Sequence, residues 1–283
     1  MRNRKKKRTI IWVVVAILVI IAGYFSFVRP RQESQRTVTV GIMSGDKNEA
    51  KLWQSVAKTA KDKYHVTVKT KEFTDYNQPN KALENGDIDL DAFQHKLFLK
   101  SWNKAHHTDI VSIGDTYITP IRVYSDKYKS LKDLPDDATI AVPNDATNES
   151  RALFALKNAG LITLKKGTTL ASASSVAKNP KHIQFKELAA EQTARSLKDV
   201  DAAVVNTNYA QAAGINYKSA IFVEPVNKDS EQWVNIIAAK KSNKDKKTYQ
   251  DVVKAYQTEK TKQFIKKHYG TAELPAWDLN FNK

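Results

Sequence analysis

A chain of 283 residues that is 41% hydrophobic and 27% charged can bury a full core, in one large domain or two ordinary ones, which excludes an intrinsically disordered chain. It contains no cysteine, which excludes disulfide staples, a thiolate nucleophile, cysteine zinc sites and a lipid carried on a cysteine of this chain. The formal net charge is +16, but eight of the basic residues fall in residues 1–31, which hold no acid, and the other lysines are interleaved with acids, as at Lys58, Lys61, Asp62 and Lys63. Nucleic acid is therefore not an expected partner, because arginine clusters and aromatic platforms are missing.

Residues 1–8 are strongly basic and precede an uncharged apolar run over residues 9–28, TIIWVVVAILVIIAGYFSFV. That length suits a bilayer and exceeds the apolar core of a secretory signal, and the run ends in bulky Tyr24, Phe25 and Phe27 rather than in small residues. The sequence therefore predicts a cytoplasmic basic segment over 1–8 and an uncleaved transmembrane anchor over 9–28. By the positive-inside rule the C-terminal domain is extracytoplasmic, so the protein is expected at the cell membrane as a single-pass chain.

A polar linker over 29–36 leads into a strand over 37–42 (TVTVGI), a helix over 48–63 and a strand over 65–69, a βαβ unit that implies a parallel sheet. A helix over 76–85, capped by Asp75 and stopped at Gly86, continues the rhythm. Strands are expected over 110–113 and 119–124, a helical turn over 131–134, then a second unit: strand 139–142, helix 148–159, strand 183–187, helix 192–197 and strand 202–206. A strand over 234–240 and a long lysine-rich helix over 247–269 return to the first unit. The pattern reads as two α/β lobes, each with a mainly parallel sheet, hinged about crossing segments: residues 37–121 with 231–283 form lobe 1 and residues 122–230 form lobe 2.

Two stretches and two isolated asparagines carry chemistry. In residues 86–99, GDIDLDAFQHKLFL, an alternating strand runs into Phe93, Gln94 and His95 with Phe98 following, which places rings and hydrogen-bonding groups at a sheet edge, where open α/β sheets bind ligands. In residues 141–151, AVPNDATNESR, a strand ends and a helix begins, so helix-start amides lie beside Arg151, which can clamp a carboxylate with two parallel bonds. Taken alone, Asn148 reads as a helix cap, Arg151 as a solvated arginine and each aromatic as core. Asn206 and Asn235 sit among apolar strand residues and need partners when buried. The six histidines show no metal-ligand spacing, and no nucleophile elbow, Walker loop or zinc motif is present, so neither an enzyme nor a cofactor is expected.

The Phe-Gln-His triplet and the PND-x-TN-x-x-R segment resemble the signature of the NlpA/MetQ lipoprotein family, the methionine-binding components of ABC importers, over residues 38–277. The resemblance implies a periplasmic-binding-protein-like fold that delivers L-methionine, or a methionine-containing dipeptide, to a permease and its ATPase. It implies that Arg151 pairs with the ligand carboxylate, that Asn206 and Asn235 hold the amino and carboxylate groups, and that Tyr76, Phe93, His95 and Phe98 line the side-chain pocket. The chain departs from the family in lacking a lipid-attachment cysteine and in carrying Ser150 before the arginine, Phe98 where tyrosine is frequent, and Trp233 at another frequent tyrosine. The competing readings are a binding protein for another apolar amino acid or short peptide, and a sensory ectodomain that meets no permease.

Overall fold

In the computed structural model, the described residues are 12, 14–22 and 36–281. The basic segment over 1–8 and nearly all of the linker over 29–36 lie outside them. Of the run over 9–28, residues 12 and 14–22 are described, helical and exposed, and no helix among the described residues is long and apolar enough to cross a membrane. The expected transmembrane helix is thus corrected: apolar length in a sequence states only what a segment could span.

The first lobe is built on a six-stranded sheet. Its parallel half comprises β1 (Thr37–Met43), β2 (Thr67–Phe73) and β3 (Leu90–Asp91), with β1 in the middle. Beside β1 and β2 runs α1 (Lys47–Tyr64), started by Asp46, whose carboxylate accepts from the Asn48 amide, and stopped at His65 in the left-handed region. Leu52, Trp53, Val56 and Ala60 form its buried stripe, at helical spacing. The short α2 (Gln78–Asn85) leads through Gly86 to β3, and α3 (Lys96–His106) then carries the chain to β4 (Ile110–Ile118).

The second lobe has a five-stranded sheet containing β5 (Arg122–Tyr124) and β6 (Thr139–Pro143). After β6 comes α4 (Ala146–Asn158), then a small hairpin of β7 (Thr163–Leu164) and β8 (Val176–Lys178), and β9 (Gln184–Leu188) beside β6. A single turn, α5 (Ala190–Thr193), precedes β10 (Ala202–Val205); α6 (Thr207–Ala212) and β11 (Phe222–Val223) complete the lobe. The chain returns through β12 (Val234–Lys240), and α7 (Lys247–Tyr256), α8 (Glu259–Tyr269) and β13 (Leu274–Pro275) finish the first lobe.

Two further expectations need correction. The sheets are mixed rather than mainly parallel: β12 runs antiparallel to β3 and β4, β13 antiparallel to β4, and β5 antiparallel to β10 and β11. The reversals fall on the strands by which the chain crosses between lobes and returns. The helix expected over 247–269 is broken at Gln257, because the Thr258 hydroxyl accepts from the Thr261 amide at 3.2 Å and starts a new helix, while the Gln257 side chain donates through Nε2 to the Asp115 carbonyl.

One apolar layer, with Val40, Leu52, Trp53, Val252 and Tyr256, packs α1, α7 and α8 on the first sheet. A second fills the other lobe around Val123, Ile140, Leu153 and Val204. A third draws on both lobes: Met43, Phe73, Phe93, Phe98 and Trp102 from one, Val205, Tyr209 and Ala210 from the other. The two lobes therefore meet through buried apolar surface around a cleft.

Candidate ligand-binding site

Tyr76, Phe93, His95, Phe98, Asn148, Arg151, Asn206 and Asn235 all border one cavity between the lobes, which holds about 690 Å³ of empty space with its mouth included. Residues separated by up to 159 positions converge there because strand ends and helix starts of both lobes face each other. Asn235 reaches it through an antiparallel bridge to His95, reinforced by the Ile236 amide donating to the Gln94 carbonyl at 3.0 Å.

The apolar wall is a set of tilted and edge-to-face rings. Tyr76 lies 5.9 Å from Phe93 and 6.0 Å from Phe98, centroid to centroid, and Phe93 lies 5.8 Å from Phe98. These are the offset geometries that aromatic quadrupoles favour. The Tyr76 hydroxyl donates to Asn208 Oδ1 at 2.6 Å, tying the wall to the opposite lobe. Gln94, the middle of the triplet, also borders the cavity, but its side chain is engaged elsewhere: it exchanges two amide bonds with Asn80 and donates to Asp91 at 2.9 Å. Burial pushes the Asp91 carboxyl up to about 8, so it stays protonated at neutral pH.

His95 caps α3. Its Nδ1 accepts from the Phe98 amide at 3.0 Å, which puts the proton on Nε2, a buried donor that makes no well-formed hydrogen bond although the Asn148 side chain stands beside it. Burial first, and then the Arg151 charge, hold its pKa down at about 3, so the ring is neutral. Its other neighbour is Trp233, edge-on at 5.0 Å.

On the polar side, Asp145 rather than Asn148 caps α4, because its carboxylate accepts from the Asn148 amide at 3.0 Å. The Asn148 side chain donates to both Asp145 oxygens and accepts from Asn206 Nδ2 at 2.7 Å, so the simple-cap reading gives way to a relay that fixes Asn206. Asn206 Oδ1 is left buried without a donor. Arg151 is 2% exposed, and its bidentate face is already taken: Nε and Nη2 reach Glu224 at 3.0 and 2.6 Å, and Nη2 also donates to the Thr119 carbonyl at 2.8 Å. Trp233 stacks over the guanidinium at 4.8 Å. Among the described residues this leaves the Nη1 donors for a ligand, in place of the two parallel bonds through Nε and Nη2.

Sequence reasoning missed several lining residues, including Met43, Ser44, Asn208 and an acidic group, Asp46, Glu49 and Glu273, at the end bordered by Tyr117. It also missed Glu224, which stands 73 positions from Arg151 and whose role depends wholly on the fold. Only Asn208 carried a local signal, as a second asparagine in the VVNTNYA segment.

The sequence profile of the NlpA lipoprotein family matches residues 38–277. The chain belongs to that family. Among NlpA lipoproteins, a probable D-methionine-binding lipoprotein MetQ of Pasteurella multocida is 42% identical over 88% of this chain and 89% of its own length. The D-methionine-binding lipoprotein MetQ of Escherichia coli K12 is 40% identical over 85% of this chain and 88% of its own length. Of solved structures, the substrate-binding protein of a methionine transporter from Streptococcus pneumoniae is 43% identical with a TM-score of 0.81, covering 85% of this chain and 96% of that one. A nutrient-binding protein from Burkholderia cenocepacia bound to methionine is 45% identical with a TM-score of 0.80, covering 84% of this chain and 99% of that one. That these relatives are named lipoproteins completes the correction of the anchor: the expected single-pass location at the cell membrane falls with the transmembrane helix over 9–28.

Proposed function

We propose that this NlpA lipoprotein relative is an extracytoplasmic solute-binding protein of an ABC importer, which closes its two lobes on L-methionine and delivers it to a permease and ATPase. The reading rests above all on a buried arginine, held rigidly by Glu224, Thr119 and Trp233, whose remaining donors face a cavity walled on another side by Tyr76, Phe93 and Phe98. An α-amino acid with a soft apolar side chain meets each of these groups. Its carboxylate takes the Arg151 Nη1 donors, with the charge of Glu224 keeping the guanidinium oriented. Its ammonium is received by Asn206 Oδ1, which lacks any other donor, with Asn235 alongside. The thioether lies among the rings, where sulfur–aromatic contacts contribute ~0.3 to 1.5 kcal/mol each. The Nε2–H of His95 offers one more donor to the ligand. The relatives named for methionine support this ligand class, and the role is binding and delivery rather than turnover.

Replacing Arg151 tests the assignment. Arg151→Lys keeps a positive charge but not the fork that Glu224 and the ligand share, and it should weaken L-methionine binding by ~2 to 5 kcal/mol in a calorimetric titration. Wild-type affinity in Arg151→Lys would remove the carboxylate role from this residue.

A further inference from the structure

We propose that Asp46, Glu49 and Glu273 form an ammonium subsite at the far end of the cleft, joined to the methionine pocket by the same cavity. The inference rests on the methionine reading and adds a second recognition group to it.

All three carboxyls border the cavity that Arg151, Asn206 and the rings border. They come from the turn before α1, from its first turn, and from the segment leading into β13, so the two ends of the first lobe bring them together. Three of their oxygens have partners: Glu49 Oε1 accepts from the Trp53 indole, Asp46 Oδ1 from the Asn48 amide and Asp46 Oδ2 from the Tyr269 hydroxyl, each at 2.8 Å. Glu273 is different. It is 3% exposed, it lines the cavity, and although the Gln211 side-chain amide approaches its carboxyl group, its Oε2 makes no well-formed hydrogen bond. A buried carboxylate oxygen facing a cavity without a donor is costly unless it is protonated or a cation meets it.

The surroundings hold the pair protonated while no cation is present. Burial first, and then the charge of Asp46, push Glu49 up to about 8. Burial, followed by the charges of Glu49 and Asp46, raises Glu273 well above the usual carboxylate range, against the smaller opposing effects of Gln211 and Arg122. The other titratable groups facing them are the phenols of Tyr117, Tyr256 and Tyr269, all raised and all neutral at physiological pH. Arg122 is the facing cation, and its guanidinium is engaged by the Pro120 and Thr271 carbonyls. An entering ammonium therefore displaces a proton, and binding tightens as pH rises from the acid range toward 8.

The subsite's ligand class is a primary ammonium, carried by the α-amino group of a free amino acid or by the amino terminus of a short peptide. The ammonium of a free amino acid is already received by Asn206 Oδ1 in the methionine reading, so the amino terminus of a peptide is the favoured carrier.

The test titrates wild type and Glu273→Gln, stripped of ligand by unfolding and refolding, with L-methionine, glycyl-L-methionine and N-acetyl-L-methionine, the last lacking an ammonium. Loss of a charge-assisted bond predicts ten- to hundredfold weaker binding of an ammonium-bearing ligand by Glu273→Gln, with N-acetyl-L-methionine unchanged. Whether L-methionine or glycyl-L-methionine is the one weakened names the carrier. Equal affinities in wild type and variant, or a uniform loss across all three ligands, overturns the subsite and leaves the methionine reading standing. Failure of wild type to bind any of the three overturns both. A measurement on wild type alone complements the variant: titrations at pH 7 in buffers of different ionisation enthalpy should show proton release with the ammonium-bearing carrier and none with N-acetyl-L-methionine. No release with either ammonium-bearing ligand also overturns the proposal.

Discussion

His95 shows how one side chain serves structure and site together. Its Nδ1 starts α3 while the residue lines the cavity, and the capping task requires the neutral ring that burial and Arg151 maintain. The folded pKa of about 3 lies below the ~6.5 of an unfolded histidine, so the protonated ring favours the unfolded chain. The associated stability is fully present above pH ~6.5 and is lost as pH falls toward 3, by about 3 kcal/mol at pH ~4.5. His95→Asn keeps a capping acceptor without the titration. Urea denaturation of the ligand-free protein at pH 7 and pH 4.5 should show the wild type losing more stability than this variant; equal losses would place a charged His95 in the fold. Residue identity was legible at this scale where chemistry is local. Arg151 could be picked out beside a helix start, but its partner Glu224 could not, because only the return of the chain after β11 brings that carboxylate to it.

At the scale of elements, the turn between β1 and α1 sets how closely the lobes approach. Gly45 has φ +95°, and a Cβ there would lie 2.7 Å from Ala212 Cβ on α6 of the opposite lobe. Gly86 shares the left-handed backbone, φ +82°, but a Cβ there meets nothing within 4 Å. Each alanine variant should cost ~1 to 2 kcal/mol of stability from backbone strain, measured by thermal unfolding. Only Gly45→Ala should also weaken L-methionine binding, by about tenfold or more, since it holds the lobes apart. Equal binding by the two variants would mean that the contact between Gly45 and Ala212 plays no part in closure. Strands and helices with regular periodicity were legible in the sequence: β1, α1 and β12 fall within a residue or two of expectation. Helix α3 was not recognised, although Phe98, Leu99 and Trp102 give it a buried stripe, because an alternating strand pattern leads directly into its capping residue. The alternating stretch over 87–91 contributes only Leu90–Asp91 to the sheet. Its Asp89 instead accepts from the Thr39 amide and the Tyr249 hydroxyl, a long-range tie that periodicity cannot show.

Across the whole molecule, the two sheets present their strand ends to a common cleft, and the polar atoms left unpartnered on its lining residues, His95 Nε2, Asn206 Oδ1, Asn208 Nδ2 and Glu273 Oε2 among the described residues, belong to both lobes. The aromatic and arginine ends of that cleft could be read from two motifs. The acidic end could not, because Glu273 lies more than 220 positions after Glu49 and nothing local marks either as facing a ligand. The run over 9–28 marks the opposite failure, a local pattern that suits a membrane span, whereas no helix among the described residues is long and apolar enough to cross one. A ligand that binds only the folded, closed form raises stability by RT ln(1 + [L]/Kd), about 2.7 kcal/mol at a hundredfold excess over Kd. The most direct test of the central claim is a calorimetric titration of the refolded, ligand-stripped protein with L-methionine and, in parallel, D-methionine. Binding of either with a Kd below the micromolar range, about −8 kcal/mol or better, is the predicted result. No heat with either ligand at millimolar concentration would contradict the account and leave a two-lobed clamp whose ligand is not methionine.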